Sequence, residues 1–165
     1  AGHNVGQSLY EPEKIELAQE IMLTAEKKHE QFILPIDVIV ADEPKEGTET
    51  ADLPIEDVED TMKIFDMGRL TIEKTIKAIN EAKTIIWNGP VGLYEIPEFA
   101  QGSHAIAHAL ASSNAKTYIG GGDTLDVIGR CNIDHEKFTH VSTGGGAMLK
   151  FLEGESLPGI EILKK

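Results

Sequence analysis

The sequence predicts an α/β fold in which a mainly parallel sheet lies between layers of helices. Two observations lead there: short β-branched runs alternate with amphipathic stretches along most of the chain, and three glycine-rich segments each follow a run read as a strand. A chain of 165 residues, 41% of them hydrophobic, can bury the core of one ordinary domain. No internal repeat or long linker divides it.

Taken in order, residues 11–29 place Ile15, Leu17, Ala18, Ile21, Met22 and Ala25 at helical spacing, with Pro12 where a first turn tolerates it. Residues 32–40 are rich in β-branched side chains and read as a buried strand, Pro35 standing at or before its start. Residues 42–60 then carry nine carboxylates against Lys45 alone, interrupted by Pro44, Gly47 and Pro54, and read as a solvated loop or short excursion. The alternation resumes with a strand at 62–66, a helix at 71–81 with Ile72, Ile76 and Ile79 inward, and a strand at 84–87. A helix at 97–112 turns Ala105, Ile106, Ala109 and Leu110 inward, followed by a strand at 117–119, a helix at 123–130, a strand at 138–141 and a helix at 145–152. Residues 160–163 read as a last short strand. Strand and helix alternating in this way imply right-handed crossovers and a sheet covered on both faces, a three-layer Rossmann-like domain.

Composition removes several functions. The formal net charge of −13, from 15 Lys and Arg against 28 Asp and Glu, repels a nucleic-acid backbone and leaves no basic stripe to offset it. No apolar run approaches the length of roughly 20 residues that spans a membrane, and the first residues carry no signal-peptide pattern, so no membrane partner is expected. A lone cysteine, Cys131, excludes an intrachain disulfide and suits a reducing, cytoplasmic setting; it reads as a small packing residue.

The chemistry concentrates in three loops: residues 88–95 (Asn-Gly-Pro-Val-Gly-Leu-Tyr-Glu), 120–124 (Gly-Gly-Gly-Asp-Thr) and 142–146 (Ser-Thr-Gly-Gly-Gly). Loops leaving the carboxyl ends of parallel strands share one edge of the sheet, so these segments should converge. Glycines opening a helix let backbone approach an anion and leave unpaired amides at the positive end of the dipole, which points to phosphate. Any one run is equally a tight strand-to-helix turn; two triple-glycine runs on one edge favour the ligand.

Asp123 starts a helix, where it would serve as N-cap with Thr124 just inside. Beside phosphate-binding glycines it would repel the ligand unless a cation intervened, so it is also the candidate to hold Mg²⁺. Glu95 is placed to accept hydrogen bonds from ribose hydroxyls, or is an exposed helix-initiating acid. No P-loop and no Gly-x-Gly-x-x-Gly fingerprint occurs, and His104 and His108, though spaced i, i+4, lack a zincin pattern.

These segments, with residues 138–147 (Phe-Thr-His-Val-Ser-Thr-Gly-Gly-Gly-Ala) and the closing Leu157-Pro158-Gly159, resemble the signatures of the phosphoglycerate kinase family, in family order and along the whole chain. The resemblance implies a fold of two Rossmann-like domains flanking a cleft and transfer of the acyl phosphate of 1,3-bisphosphoglycerate to Mg-ADP, giving 3-phosphoglycerate and ATP in glycolysis. Residues 1–165 are similar to the C-terminal part of the nucleotide-binding domain, which is then incomplete at its N-terminal side, and the N-terminal substrate domain is absent. By the same resemblance Asn88 contacts the nucleotide's phosphates or ribose, Pro90 and Leu125 pack near the base, and Glu95 binds ribose hydroxyls. Gly121, Gly122, Asp123 and Thr124 hold the phosphates, with Asp123 on Mg²⁺. Gly144, Gly145 and Gly146 point helix amides at the phosphoryl group in flight.

Tyr94 stands where the family usually has Phe, and Met148 and Lys150 also depart from its pattern. The implied partners are ADP or ATP, with 3-phosphoglycerate reached only through the absent domain and a monomeric parent enzyme. Without the family's basic cluster and phosphate-contacting lysines, the chain alone is expected to be inactive and to carry a raw sheet edge. Two rival readings remain: a catalytically silent nucleotide-binding module of the same fold, against which the intact Asp123, Glu95 and glycine runs speak, and a different sugar or acid kinase using a non-P-loop crevice.

Overall fold

The computed structural model describes residues 2–28 and 31–163, which form two compact units. Unit 1 comprises Ala1–Thr75 and Val91–Gly102; unit 2 comprises Ile76–Pro90 and Ser103–Lys165.

In unit 1, helix α1 (Ile15–Lys27) follows a short 3-10 turn with Pro12 at its start. The sequence reading carried this helix to His29, which lies outside the described residues. Its apolar positions stay largely uncovered: Ala25 is its one buried residue, while Leu17 and Leu23 are more than half exposed. Strands β1 (Asp37–Ala41), β2 (Ala51–Pro54) and β3 (Lys63–Met67) form a three-stranded sheet in the order β2-β1-β3. Both ladders are antiparallel, and the second carries a register shift between Ile39 and Val40. Val38, Val40, Ile55 and Val58 are its core, with Leu53, Met62 and Ile64 packed against them.

Two expectations are corrected here. The acidic stretch is not all loop, because β2 and a 3-10 turn at Ile55–Asp57 run through it. Leu53 and Ile55 supply the apolar anchors while the carboxylates face water. The buried strand of 32–40 contracts to β1, since Pro35 lacks the amide a ladder needs.

Helix α2 (Arg69–Glu81) begins in unit 1 and ends in unit 2. In unit 2, β4 (Thr84–Asn88), β5 (Lys116–Gly120) and β6 (His140–Ser142) form a parallel sheet in the order β4-β5-β6, as the alternation predicts. Helix α3 (Gln101–Ser112), preceded by a separate 3-10 turn at Pro97–Phe99, joins β4 to β5, and α4 (Gly122–Arg130) joins β5 to β6. Trp87, Thr117 and Ile119 lie on one side of this sheet, and with Ile106, Leu110, Val127 and Ile128 they make up the buried interior of unit 2.

The other side is less complete than a sheet covered on both faces requires. Thr84, Ile86, Tyr118 and His140 line a groove of about 470 Å³ beneath helix α5 (Gly145–Leu152), together with Met148, Phe151 and Leu152, and Ile86 remains 45% exposed. Residues 160–163 are not a strand. They lie in a short helix α6 (Pro158–Leu163), which Pro158 opens at the position where a missing N–H costs nothing.

Candidate functional site

The three glycine-rich loops leave the carboxyl ends of β4, β5 and β6, and within unit 2 they meet around one side chain. The last rungs of the parallel ladders pair Asn88 with Gly120 and Gly120 with Ser142, so the three strands end in a single row. The amide of Gly121 donates to the Ser142 carbonyl at 3.3 Å, and the amide of Gly89 donates to the Thr124 hydroxyl at 2.8 Å.

The closeness of this meeting is measured by what a side chain would hit. A methyl group added at Gly145 would lie 2.5 Å from the Asn88 carboxamide oxygen and 2.7 Å from the Cα of Gly121. One added at Gly121 would lie 3.2 Å from the same oxygen, and Gly121 in addition sits at φ +97°, where L side chains are strained. Glycine is therefore required at both positions by the approach of one loop to the next. Gly146, by contrast, has open space.

Helices α4 and α5 both begin from this knot on glycine. The N-cap residues are Gly121 and Gly144, and neither supplies a side-chain cap. The sequence reading that made Asp123 the N-cap of α4 is corrected, since Gly121 takes that position and Asp123 lies in the first turn, exposed to solvent. The first amides of each helix have no partner within their own helix, and neither N-cap residue supplies a side-chain acceptor for them.

Thr124 is fully buried, whereas Asn88, Gly122, Gly144 and Gly146 are exposed. Pro90 and Leu125 are half-buried and Gly145 is buried in the contact with Gly121 and Asn88. Glu95 is exposed and belongs to unit 1, whereas every other residue predicted for the site belongs to unit 2.

Among the described residues no cluster of three or more His, Cys, Asp or Glu side chains is placed to hold a metal ion. A single exposed carboxylate such as Asp123 is compatible in chemistry with an ion such as Mg²⁺, which takes one or two carboxylates plus phosphate oxygens and waters. His104 has a buried Nε2 without a hydrogen-bond partner, and among the described residues it belongs to no group of three or more possible metal ligands. No helix among the described residues is long and apolar enough to cross a membrane.

Two carboxylates that the sequence reading passed over prove to be buried. Asp37 accepts the amides of Leu70 and Thr71 at 2.7 Å each and the Thr71 hydroxyl, at the start of α2. Burial pushes its carboxyl up, but these hydrogen bonds and the Arg69 charge together leave it below the usual range. Asp66, 3% exposed, accepts the amides of Met67 and Gly102 at 2.8 and 2.9 Å, and that of Gln101, at the start of α3. Here burial outweighs the three bonds and the carboxyl is pushed up to about 6. The available signal was a charge inside an apolar run, Phe65-Asp66-Met67 and Ile36-Asp37-Val38, which must be hydrogen-bonded to be buried there.

The family model of phosphoglycerate kinase matches residues 1–155. Phosphoglycerate kinase of Prosthecochloris aestuarii is 46% identical over 165 residues, covering 98% of this chain and 41% of the relative. That of Finegoldia magna is 43% identical over 162 residues, again 98% of this chain and 41% of the relative. Among solved structures, phosphoglycerate kinase from Coxiella burnetii superposes with a TM-score of 0.92 at 43% identity, over 98% of this chain and 42% of that one. The enzyme from Pyrococcus horikoshii gives 0.71 at 30% identity, over 99% of this chain and 41% of the other. The chain thus spans about two fifths of the length of the curated relatives it matches.

Proposed function

The chain belongs to the phosphoglycerate kinase family, and on that premise we propose that it supplies the nucleotide side of phosphoryl transfer between 1,3-bisphosphoglycerate and Mg-ADP. The observation that supports this best is the convergence of the three glycine-rich loops on Asn88, with two uncapped helix N-termini beside it.

In the reaction, an oxygen of the terminal ADP phosphate attacks the phosphorus of the acyl phosphate, the bond to the carboxyl oxygen breaks, and 3-phosphoglycerate leaves as its carboxylate. Positioning and charge stabilisation are nearly all the protein need supply. In this reading the turn formed by Gly121, Gly122, Asp123 and Thr124 holds the nucleotide phosphates, and Asn88 donates its carboxamide N–H₂ to a phosphate or ribose oxygen. Pro90 and Leu125 pack near the base, and Glu95 accepts from the ribose hydroxyls. The amides of α5 opened by Gly144, Gly145 and Gly146 face the phosphoryl group, whose charge is largest in the transition state. Mg²⁺, when bound on Asp123, neutralises phosphate charge that the carboxylate would otherwise repel.

The 1,3-bisphosphoglycerate side of the reaction is assigned to sequence outside these 165 residues, so the chain alone is expected to bind nucleotide without turning over. The rival reading, a catalytically silent nucleotide-binding module, makes the same binding prediction and parts from this one once the remainder of a family enzyme is supplied.

Calorimetric titration with ADP, with and without Mg²⁺, tests the assignment. Binding strengthened by Mg²⁺ in the wild-type chain should lose most of that increment, about tenfold or roughly 1.4 kcal/mol, in Asp123→Ala. An equal Mg²⁺ effect in both proteins would remove Asp123 from the metal.

A further inference from the structure

We propose that the side chain of Thr124 is a positioning residue, a latch that fixes the Asn88–Gly89 loop against the glycine turn, and not itself a contact to the phosphates. The sheet creates the need for it. The β4–β5 ladder ends at the Asn88–Gly120 pair, so Gly89 is the first residue of the chain beyond it, turned out at φ +95°. Its N–H has no rung to join, and a buried or half-buried amide without a partner is costly. The Thr124 hydroxyl accepts that N–H at 2.8 Å from the next loop along the sheet edge.

Two further features bear on the choice between latch and ligand. Thr124 is completely buried, and its hydroxyl is already engaged by the Gly89 amide, so a phosphate group has no open path to that hydroxyl, while Gly122 and Asp123 before it are exposed. The same knot holds the carboxamide oxygen of Asn88 against Gly121 and Gly145. Fixing the Asn88–Gly89 peptide therefore fixes where the exposed side of that carboxamide points. Serine can supply the same oxygen; valine, of the same shape, cannot.

The inference rests on the nucleotide reading for its effect on binding, but the latch has a readout of its own. In Thr124→Val, amide hydrogen exchange at Gly89 should speed up by about tenfold as the local opening loses its one bond. Affinity for ADP should fall about fivefold, the net worth of one hydrogen bond, with the thermal midpoint lowered by only about 2 to 4 °C. Thr124→Ser should retain slow exchange and most of the affinity, a rescue that simple loss of packing would not give. Should the valine protein fail to fold, Thr124→Ala carries the same comparison.

Unchanged exchange at Gly89 in the valine protein would overturn the latch, as would a serine protein as impaired as the valine one. If the wild-type chain binds no ADP, the nucleotide reading falls, and the latch is then decided by Gly89 exchange alone.

Discussion

Helices α2 and α3 start against buried carboxylates, whereas α4 and α5 start on glycine N-caps that supply no side-chain acceptor. In unit 1, Asp37 and Asp52 take the amides of Arg69, Leu70 and Thr71, and Asp66 takes those of Gln101 and Gly102. In unit 2 neither glycine N-cap supplies a side-chain acceptor. All four ends present the same dipole and the same unpaired N–H groups. What separates the two pairs is the acceptor: the protein's own strands supply a carboxylate in the first two, and on the proposed reading a ligand would supply the negative charge in the other two. A glycine-rich turn is informative because it withholds a cap.

Closing the open turns should have the largest effect. Gly145→Ala would drive a methyl group against the Asn88 carboxamide and into the backbone of Gly121, which cannot swing aside as a side-chain end can. A loss of about 3 kcal/mol in urea unfolding is expected from such overpacking, together with loss of ADP binding. Gly145→Ala with wild-type affinity would show that the loops do not depend on this approach.

Opening a closed turn is next. Asp37→Ala removes the acceptor for two amides and the Thr71 hydroxyl in a buried position. It should cost about 2 to 3 kcal/mol of stability and leave the affinity for ADP of the folded protein unchanged. An affinity that fell with the stability would erase the distinction between the two kinds of turn.

The comparison also has a pH axis. Burial holds Asp66 up at about 6, so in the window between 3.8 and about 6 the native protein keeps a proton that the unfolded chain has released. The stabilisation from this group is fully present below pH 3.8 and is lost as pH rises through about 6. Asp37 works in the opposite sense, but its folded pKa lies below 3.8 and therefore outside this window. The stability of the wild type relative to Asp66→Asn should thus grow by about 2 to 3 kcal/mol as pH is lowered from 7.5 to 4, measured by urea unfolding at each pH. A pH-independent difference would mean that Asp66 titrates normally.

The smallest change sharpens the contrast within a single glycine run. Gly146→Ala meets nothing within 4 Å and should gain a few tenths of a kcal/mol, up to about 1, from helix propensity, with stability kept where Gly145→Ala loses it.

The parts of this molecule most legible in the sequence are those where local pattern and tertiary role agree. The β4–β5–β6 sheet, α2 to α5 and the meeting of their loops follow from strand, glycine run and helix recurring in order. Asp123 as N-cap failed because the glycine before it could take a backbone conformation that the aspartate could not. Residues 160–163 alternate apolar and polar too briefly to separate strand from helix, and Pro158 was the better signal. Strand β2 hid among carboxylates because its pairing is set by β1, which no local pattern of residues 51–54 reveals. Asp37 and Asp66 stayed hidden for a related reason: a carboxylate's role depends on which helix end the fold brings to it.

The single row in which Asn88, Gly120 and Ser142 end their strands has a consequence for how the site comes into being. Because side chains alternate along a strand, slipping any one of the three by a residue would turn its contribution to the opposite face. The site therefore cannot form in fragments and be joined later: it exists when the sheet closes in register, and not before. Assembly of the sheet and acquisition of binding become one kinetic event. A nucleotide present during refolding would find nothing to hold until the last rung is made, and would then slow unfolding without hastening folding.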